Sequence, residues 1–318
     1  MRDENVQNNG FKEIELFLEN APPCGAFSLI MSKKIILSIA VFLFFLNILC
    51  WQEVFALNEI KKLKVDFLDV GQGDSVFIQT PQDHQILIDG GPNSSALKKL
   101  SELIPVWDKE IDLVILSHPE SDHMQGFLDI LKVYKADYIL WTGVLRNSPE
   151  YDKWVSILEE QEKMGAKIII AESGQEIKSG NVLIDTIFPF ESLEGENIKN
   201  TSNDAGIVSK LIYGNNSFLF TGDISSAGEK KLVNSGENIS ADVLKVAHHG
   251  SKYSTSNLFL ESVKPKFAVI EVGKNSYGHP TPETLQRLEN FGIKIFRTDK
   301  DGDVKLESNG KNIKIIKN

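Results

Sequence analysis

Four apolar stretches of this chain end in the same way. Residues 85–91 (QILIDGG), 112–118 (DLVILSH), 217–223 (SFLFTGD) and 244–250 (LKVAHHG) each run from β-forming side chains into a carboxylate or a histidine. Short runs rich in Val, Ile, Leu and Phe, closed by glycine or polar residues, read as buried strands. The C-terminal edges of strands are where an α/β sheet presents its ligands. A single polar ending serves as a helix cap, whereas four of them require a fold that gathers strand edges around one place.

The rest of the pattern fits such a fold. The spacing predicts strands over 64–69, 75–80, 85–89, 112–117, 136–141, 167–171, 182–188, 207–213, 217–221, 242–247, 266–271 and 293–297, then a terminal hairpin. Helices are expected over 93–103, 121–134, 149–164, 224–234, 254–262 and 282–291. No short repeat, low-complexity tract or long linker divides residues 57–318. Strand pairs alternating with helices in two successive halves suit two sheets packed face to face with helices outside, an α/β architecture in four αββα layers.

The N-terminus has a different character. From Met31, Lys33 and Lys34 lead into an almost unbroken apolar run, Ile35 to Trp51, followed by Val54-Phe55-Ala56. That is the layout of a secretory signal with cleavage after Ala56, and the run is also long enough to compete as an uncleaved membrane anchor. Residues 31–56 are therefore expected to be a signal peptide or signal anchor. Residues 1–30 are expected to be an upstream extension, with Met31 the true start. With both lysines held inside, residues 57–318 fall outside the cytoplasm, secreted or on the outer face of the membrane.

Composition removes whole classes of function. The formal charge is −10, of which −8 lies beyond residue 56. A body this acidic does not hold a polyanion by bulk electrostatics, so contact with nucleic acid must be local or assisted by a metal. Both cysteines, Cys24 and Cys50, precede residue 57, which excludes thiolate metal sites and cysteine nucleophiles from the body.

The chemistry then concentrates in His118-Pro-Glu120-Ser-Asp122-His123, between a strand end and a helix start. A loop of this kind curls several side chains toward one point, and the positive end of the helix dipole favours ionised carboxylates. Imidazole nitrogen and carboxylate oxygen together suit a divalent cation. A satisfied polar loop is the competing reading. Asp69 and Asp74 are read as shaping the Gly71–Gly73 turn, Asp89 as a buried hydrogen-bond anchor, and His84 as solvated.

Taken together, 67–74 (FLDVGQGD), Ile88–Gly91, Ser117–His123, Thr221–Asp223, 247–251 (AHHGS), Ser254–Ser256 and Tyr277–Pro280 resemble the metallo-β-lactamase fold, and within it the extracellular hydrolase domain of ComEC-type competence proteins. The likeness covers roughly residues 62–317. Two departures stand out. Glu120 occupies a position where the wider superfamily has a second histidine, although the competence branch has an acidic residue there. The superfamily also has a metal-binding histidine before the residue matching Asp223, but the six histidines here are at 84, 118, 123, 248, 249 and 279. Asn203 and Asp204 are the nearest substitutes, which favours a harder ion such as Mn²⁺ at that position.

The resemblance implies two divalent ions, Zn²⁺ or Mn²⁺. One ion would take Asp122, His123, Asp223 and a histidine of the 248–249 pair, His249 by the His-Gly ending of such loops; the other would take His118, with Asp223 as bridge and Glu120 or Asp204. It also implies a phosphodiesterase or nuclease acting on DNA, with Asp122 or Asp223 orienting the attacking water. His248 or His279 would protonate the leaving oxygen, and Ser251, Ser254 and Asn203 would lie at the substrate. Small phosphoesters, a phosphocholine ester among them, are the alternative substrates, and a non-catalytic metal-binding relative is the third reading. One hydrophobic segment does not make a pore, so a role in DNA uptake would need a separate channel protein.

Overall fold

The computed structural model describes residues 33–58, 61–197 and 203–316. Residues 1–30, expected as an upstream extension, lie outside the described residues. Lys33–Asn58 forms one helix, and its stretch Lys33–Gln52 is long and apolar enough to cross a membrane. Its large apolar side chains from Ile35 to Trp51 are exposed, a surface compatible with a signal or an anchor.

The body is built on fifteen described strands. They are β1 (Leu63–Phe67), β2 (Val76–Gln79), β3 (Gln85–Ile88), β4 (Glu110–Ile115), β5 (Lys135–Trp141), β6 (Lys167–Ile170), β7 (Gln175–Ser179) and β8 (Val182–Phe188). Then follow β9 (Val208–Tyr213), β10 (Asn216–Phe220), β11 (Val243–Lys245), β12 (Phe267–Ile270), β13 (Lys294–Arg297), β14 (Val304–Ser308) and β15 (Ile313–Ile316). One sheet has the order β15-β14-β1-β2-β3-β4-β5-β6 and the other β13-β12-β11-β10-β9-β8-β7.

The two-residue period of each strand divides its side chains between layers. Val76, Ile78, Ile86, Ile88, Phe218, Phe220 and Val243 fill the space between the sheets. Their neighbours Phe77 and Leu87 turn outward against Leu100, Phe127 and Trp154. On the other side, Leu219 and Leu244 turn outward against Leu232, Phe259 and Leu288. Helices thus cover both outer faces, giving the four αββα layers.

Three local differences from the sequence reading have physical causes. The helix expected over 121–134 is two short helices, Ser121–Met124 and Phe127–Val133. They meet at Gly126, where any side chain would collide with the Gly90 carbonyl. The edge strand β7 went unrecognised because Gln-Glu-Ile-Lys-Ser is mostly polar and only its last residue is buried. The two halves are also not one sheet each. The terminal hairpin returns to the first sheet, where β14 pairs antiparallel with β1 and Val65 faces Leu306.

Candidate metal centre

The site lies where strands of both sheets end. Strand β3 delivers Asp89, β4 delivers Ser117 and His118, β10 delivers Asp223, and β11 delivers His248 and His249. The 118–123 loop is tied down by its backbone. Gly90 N donates to His123 O at 2.6 Å, Gly126 N to Gly91 O at 2.9 Å, and Asp74 N to Asp122 O at 3.3 Å. The last contact needs Gly73, because a side chain there would strike the Asp122 carbonyl. Asp89, His248 and His249 are non-glycine residues with φ of 60°, 50° and 51°. Left-handed backbone of this kind costs about 1–2 kcal/mol per residue and persists only where surrounding contacts enforce it. Here His249 Nδ1 is held at 2.8 Å from the Glu271 carbonyl.

Asp122, His123, Asp223 and His249 converge, each offering one ligand atom, with those atoms all within 4.8 Å of one another. His123 Nε2 and His249 Nε2 each lie 3.5 Å from Asp223 Oδ2, and His249 Nε2 lies 3.3 Å from Asp122 Oδ2. The buried atoms His118 Nε2, His123 Nε2 and Asp223 Oδ1 have no hydrogen-bond partner among the described residues. Buried polar atoms left unpaired are costly, and a divalent cation bound by two imidazoles and two carboxylates removes that cost at His123. These residues fit a metal. Behind them, Asp89 Oδ2 accepts from His123 Nδ1 at 2.8 Å and from Ser117 Oγ at 2.6 Å. This bond turns His123 Nε2 toward the cluster.

The electrostatics match. Burial opposes charge on His123 and His249, but the surrounding carboxylates outweigh it, pushing His123 well above the ordinary imidazole value and His249 up to about 10. Burial would likewise raise Asp223 and Asp122, yet the adjacent histidines hold both below the usual carboxylate range. His118 is pushed down to about 3 by burial and by the charge of His123. It is therefore a neutral donor.

The structure gathers only some of the expected residues. His118 is buried beside His123, their ring centroids 4.1 Å apart. Glu120, expected as a ligand, is instead drawn into an ion pair with Arg146 at 2.8 Å. Asp204, the other expected oxygen ligand, accepts from Ser225 N at 3.2 Å, at the start of the helix Ser226–Ser235. Neither is among the four converging residues. Asn203 Nδ2 lies 3.4 Å from His248 Nδ1. His248 is half-buried, 4.0 Å from Asp223, and its ring meets His279 edge-on at 5.4 Å. Ser251 and Ser254, expected at the substrate, are buried inside their loop. Their carbonyls accept from Thr284 Oγ1 and Arg287 Nη2 at 2.9 and 2.8 Å, so these residues brace the turn.

Two residues, Lys245 and Glu271, escaped the sequence reading, and a third has a larger part than expected. Asp74 does more than shape its turn: it is buried within 3.2 Å of His249 Nδ1 and 3.6 Å of His123 Nδ1. Lys245 is buried in an ion pair with Asp74. Glu271, at the end of β12, accepts from Ser75 N at 2.8 Å. Burial and the charge of Asp74 push its carboxyl well above the usual range. The available signal was Lys245 itself, a lysine inside the apolar run Val243-Leu-Lys-Val-Ala247.

Comparison with known proteins shows the family. The chain is 34% identical over 260 residues to ComE operon protein 3 of Bacillus subtilis (strain 168), covering 76% of this chain and 32% of that protein. It is 30% identical over 237 residues to competence protein ComA of Neisseria gonorrhoeae, covering 74% of this chain and 30% of the other. The chain thus spans about a third of the length of these relatives. Among solved structures it is similar in fold to the metallo-β-lactamase fold protein YhfI of Bacillus subtilis, with a TM-score of 0.52 at 15% identity, covering 78% of this chain and 100% of that one. The model of the metallo-beta-lactamase superfamily matches residues 68–273, a span holding Asp74, the 118–123 loop, Asp223, His249 and Glu271. The chain belongs to the metallo-β-lactamase superfamily.

Proposed function

We propose that this chain is an extracytoplasmic, metal-dependent phosphodiesterase that cleaves nucleic-acid strands, DNA foremost. The convergence of Asp122, His123, Asp223 and His249 supports this reading most strongly. A divalent ion held by these residues, Zn²⁺ or Mn²⁺, supplies Lewis acidity and lowers the pKa of a water. Asp122, whose side chain is one-third exposed where that of Asp223 is buried, is placed to orient the attacking water. Burial holds His248 and His279 below the ordinary imidazole value. As neutral rings, each offers one N–H to a phosphate oxygen. Asn275 fixes the His279 backbone on both sides, accepting from its N–H at 3.0 Å and donating to its carbonyl at 2.8 Å.

The surroundings favour a nucleic-acid strand over a small ester. The loops 248–256 and 272–281 carry Lys252, Tyr253, Lys274 and Tyr277 and no carboxylate, on a chain of formal charge −10. Tyr253 and Tyr277 are 68% and 74% exposed. Tyr277 stands 5.8 Å from the His279 ring, which in turn meets His248 beside Asp223. Exposed aromatic rings interleaved with lysines form a stacking platform for unpaired bases. The competence relatives motivate a role in DNA uptake beside a separate channel protein, and the Lys33–Asn58 helix suits retention at the membrane.

The test uses the full chain in detergent with Mn²⁺ or Zn²⁺. It is offered an end-labelled single-stranded oligonucleotide, bis-p-nitrophenyl phosphate and p-nitrophenyl phosphorylcholine. Strand cleavage, with little turnover of the choline ester, is expected. Turnover of the choline ester alone would reassign the substrate, and no turnover with any metal would remove the enzymatic reading.

A further inference from the structure

The most unusual group near the centre is Lys245. On β11 it follows Val243 by two residues, so the strand period aims it into the layer between the sheets, where Val243 packs with Phe218 and Phe220. A lysine is tolerated in such a layer only when paired and hydrogen-bonded. Lys245 meets that condition. Its ammonium pairs with Asp74, donates to Gly222 O at 2.9 Å and lies 3.6 Å from Asp223 Oδ1.

Asp223 thereby has its two oxygens divided. Oδ2 faces His123 and His249, each at 3.5 Å, while Oδ1 faces the lysine. A carboxylate that bridged two ions would need the second oxygen, or more room at the first. The other ligands a second ion would use are engaged elsewhere: Glu120 with Arg146, and Asp204 with Ser225 N. His118 remains on that side, buried beside His123.

We propose that the Lys245 ammonium is the fixed second cation of this centre, so that the site takes one divalent ion where a two-ion site would be expected. The inference rests on the reading of Asp122, His123, Asp223 and His249 as metal ligands. In this arrangement Lys245 is a positioning residue. It neutralises Asp74, which lies beneath both liganding histidines, and it repels a second ion from Asp223 Oδ1.

The test is metal stoichiometry, read without turnover. The full chain in detergent, titrated with Mn²⁺ and separately with Zn²⁺, should bind one equivalent by elemental analysis and give a single-site isotherm. Two equivalents at comparable affinity would overturn the inference. No bound ion would instead overturn the metal-centre reading beneath it. Lys245→Met removes a positive charge beside the ion, so the folded variant should bind metal at least about tenfold more tightly. Unchanged or weaker binding by the folded variant would assign Lys245 a purely structural role. If that variant does not fold, Lys245→Arg, which keeps the charge, must still bind one equivalent; two would contradict the proposal.

Discussion

Strands β3 and β4 carry polar clusters at both ends, and only one of them has the character of a reactive centre. At one end are Asp89, Ser117, His118 and, through the following loop, His123. At the other, His84 Nδ1 lies 2.7 Å from Ser179 Oγ, and His84 Nε2 lies 3.9 Å from Asp112 Oδ1. This second cluster lines a cavity of about 390 Å³ with Ile86, Leu113, Tyr138 and Ile177. The difference lies in burial and satisfaction. The His84 side chain is 49% exposed and its neighbour Ser179 also bonds Thr80 at 3.0 Å, whereas His123 is fully buried and its Nε2 has no hydrogen-bond partner among the described residues. Converging, desolvated and incompletely paired groups mark the centre; a histidine beside an aspartate does not.

The sharpest way to break this contrast is Asp223→Ala. It removes the carboxylate shared by His123, His249 and Lys245, so phosphodiester turnover should fall roughly a thousandfold or more and bound metal should be lost together. Kinetics and elemental analysis on one preparation check both. Next is Asp89→Asn, which disturbs the bond that orients His123. Metal affinity should weaken about 10–100-fold while the fold is kept, as read by competition with a chelating dye. Tyr277→Ala probes the rim instead of the centre. It should raise KM for a single-stranded oligonucleotide about tenfold and leave turnover of bis-p-nitrophenyl phosphate unchanged.

Asp66 sharpens the electrostatic side of the comparison. It is a buried carboxylate in β1, away from any converging histidines, and burial pushes it up to about 6 against the pull of Lys305 and Lys64. The native state therefore binds a proton more tightly than the unfolded chain between about 6 and the ordinary value of 3.8. Stability from this group falls as pH rises through that window. Asp66→Asn should stabilise the protein by about 1–3 kcal/mol at pH 8 and by nothing below about pH 4, in paired denaturant titrations. The smallest effect belongs to His84→Ala, for which turnover should stay within about twofold. A large loss there would place chemistry at the wrong end of the strands.

Much of the fold was legible because strand edges announce themselves. The runs ending at Asp89, Ser117-His118, Asp223 and His248-His249 are apolar on both faces, as strands covered by helices on one side and a second sheet on the other must be. The placement of β14 beside β1 was not legible, since it depends on a pairing between residues more than two hundred positions apart. Of the centre, Asp122, His123, Asp223 and His249 were visible as ligand types at strand and helix ends. Sequence spacing does not show that Arg146 pairs with Glu120, or that Asp204 accepts from Ser225 N. Asp74 was read only as a turn former, and Lys245 was missed, for a related reason. A turn aspartate and a strand lysine look ordinary until folding buries them against each other.

The most direct measurement is an anomalous difference map from crystals of the full chain grown with Mn²⁺. The expected result is one peak about 2.0–2.3 Å from His123 Nε2, His249 Nε2 and carboxylate oxygens of Asp122 and Asp223, with the Lys245 ammonium behind Asp223. No peak at that place, or side chains of His123, Asp223 and His249 directed to different points, would contradict it.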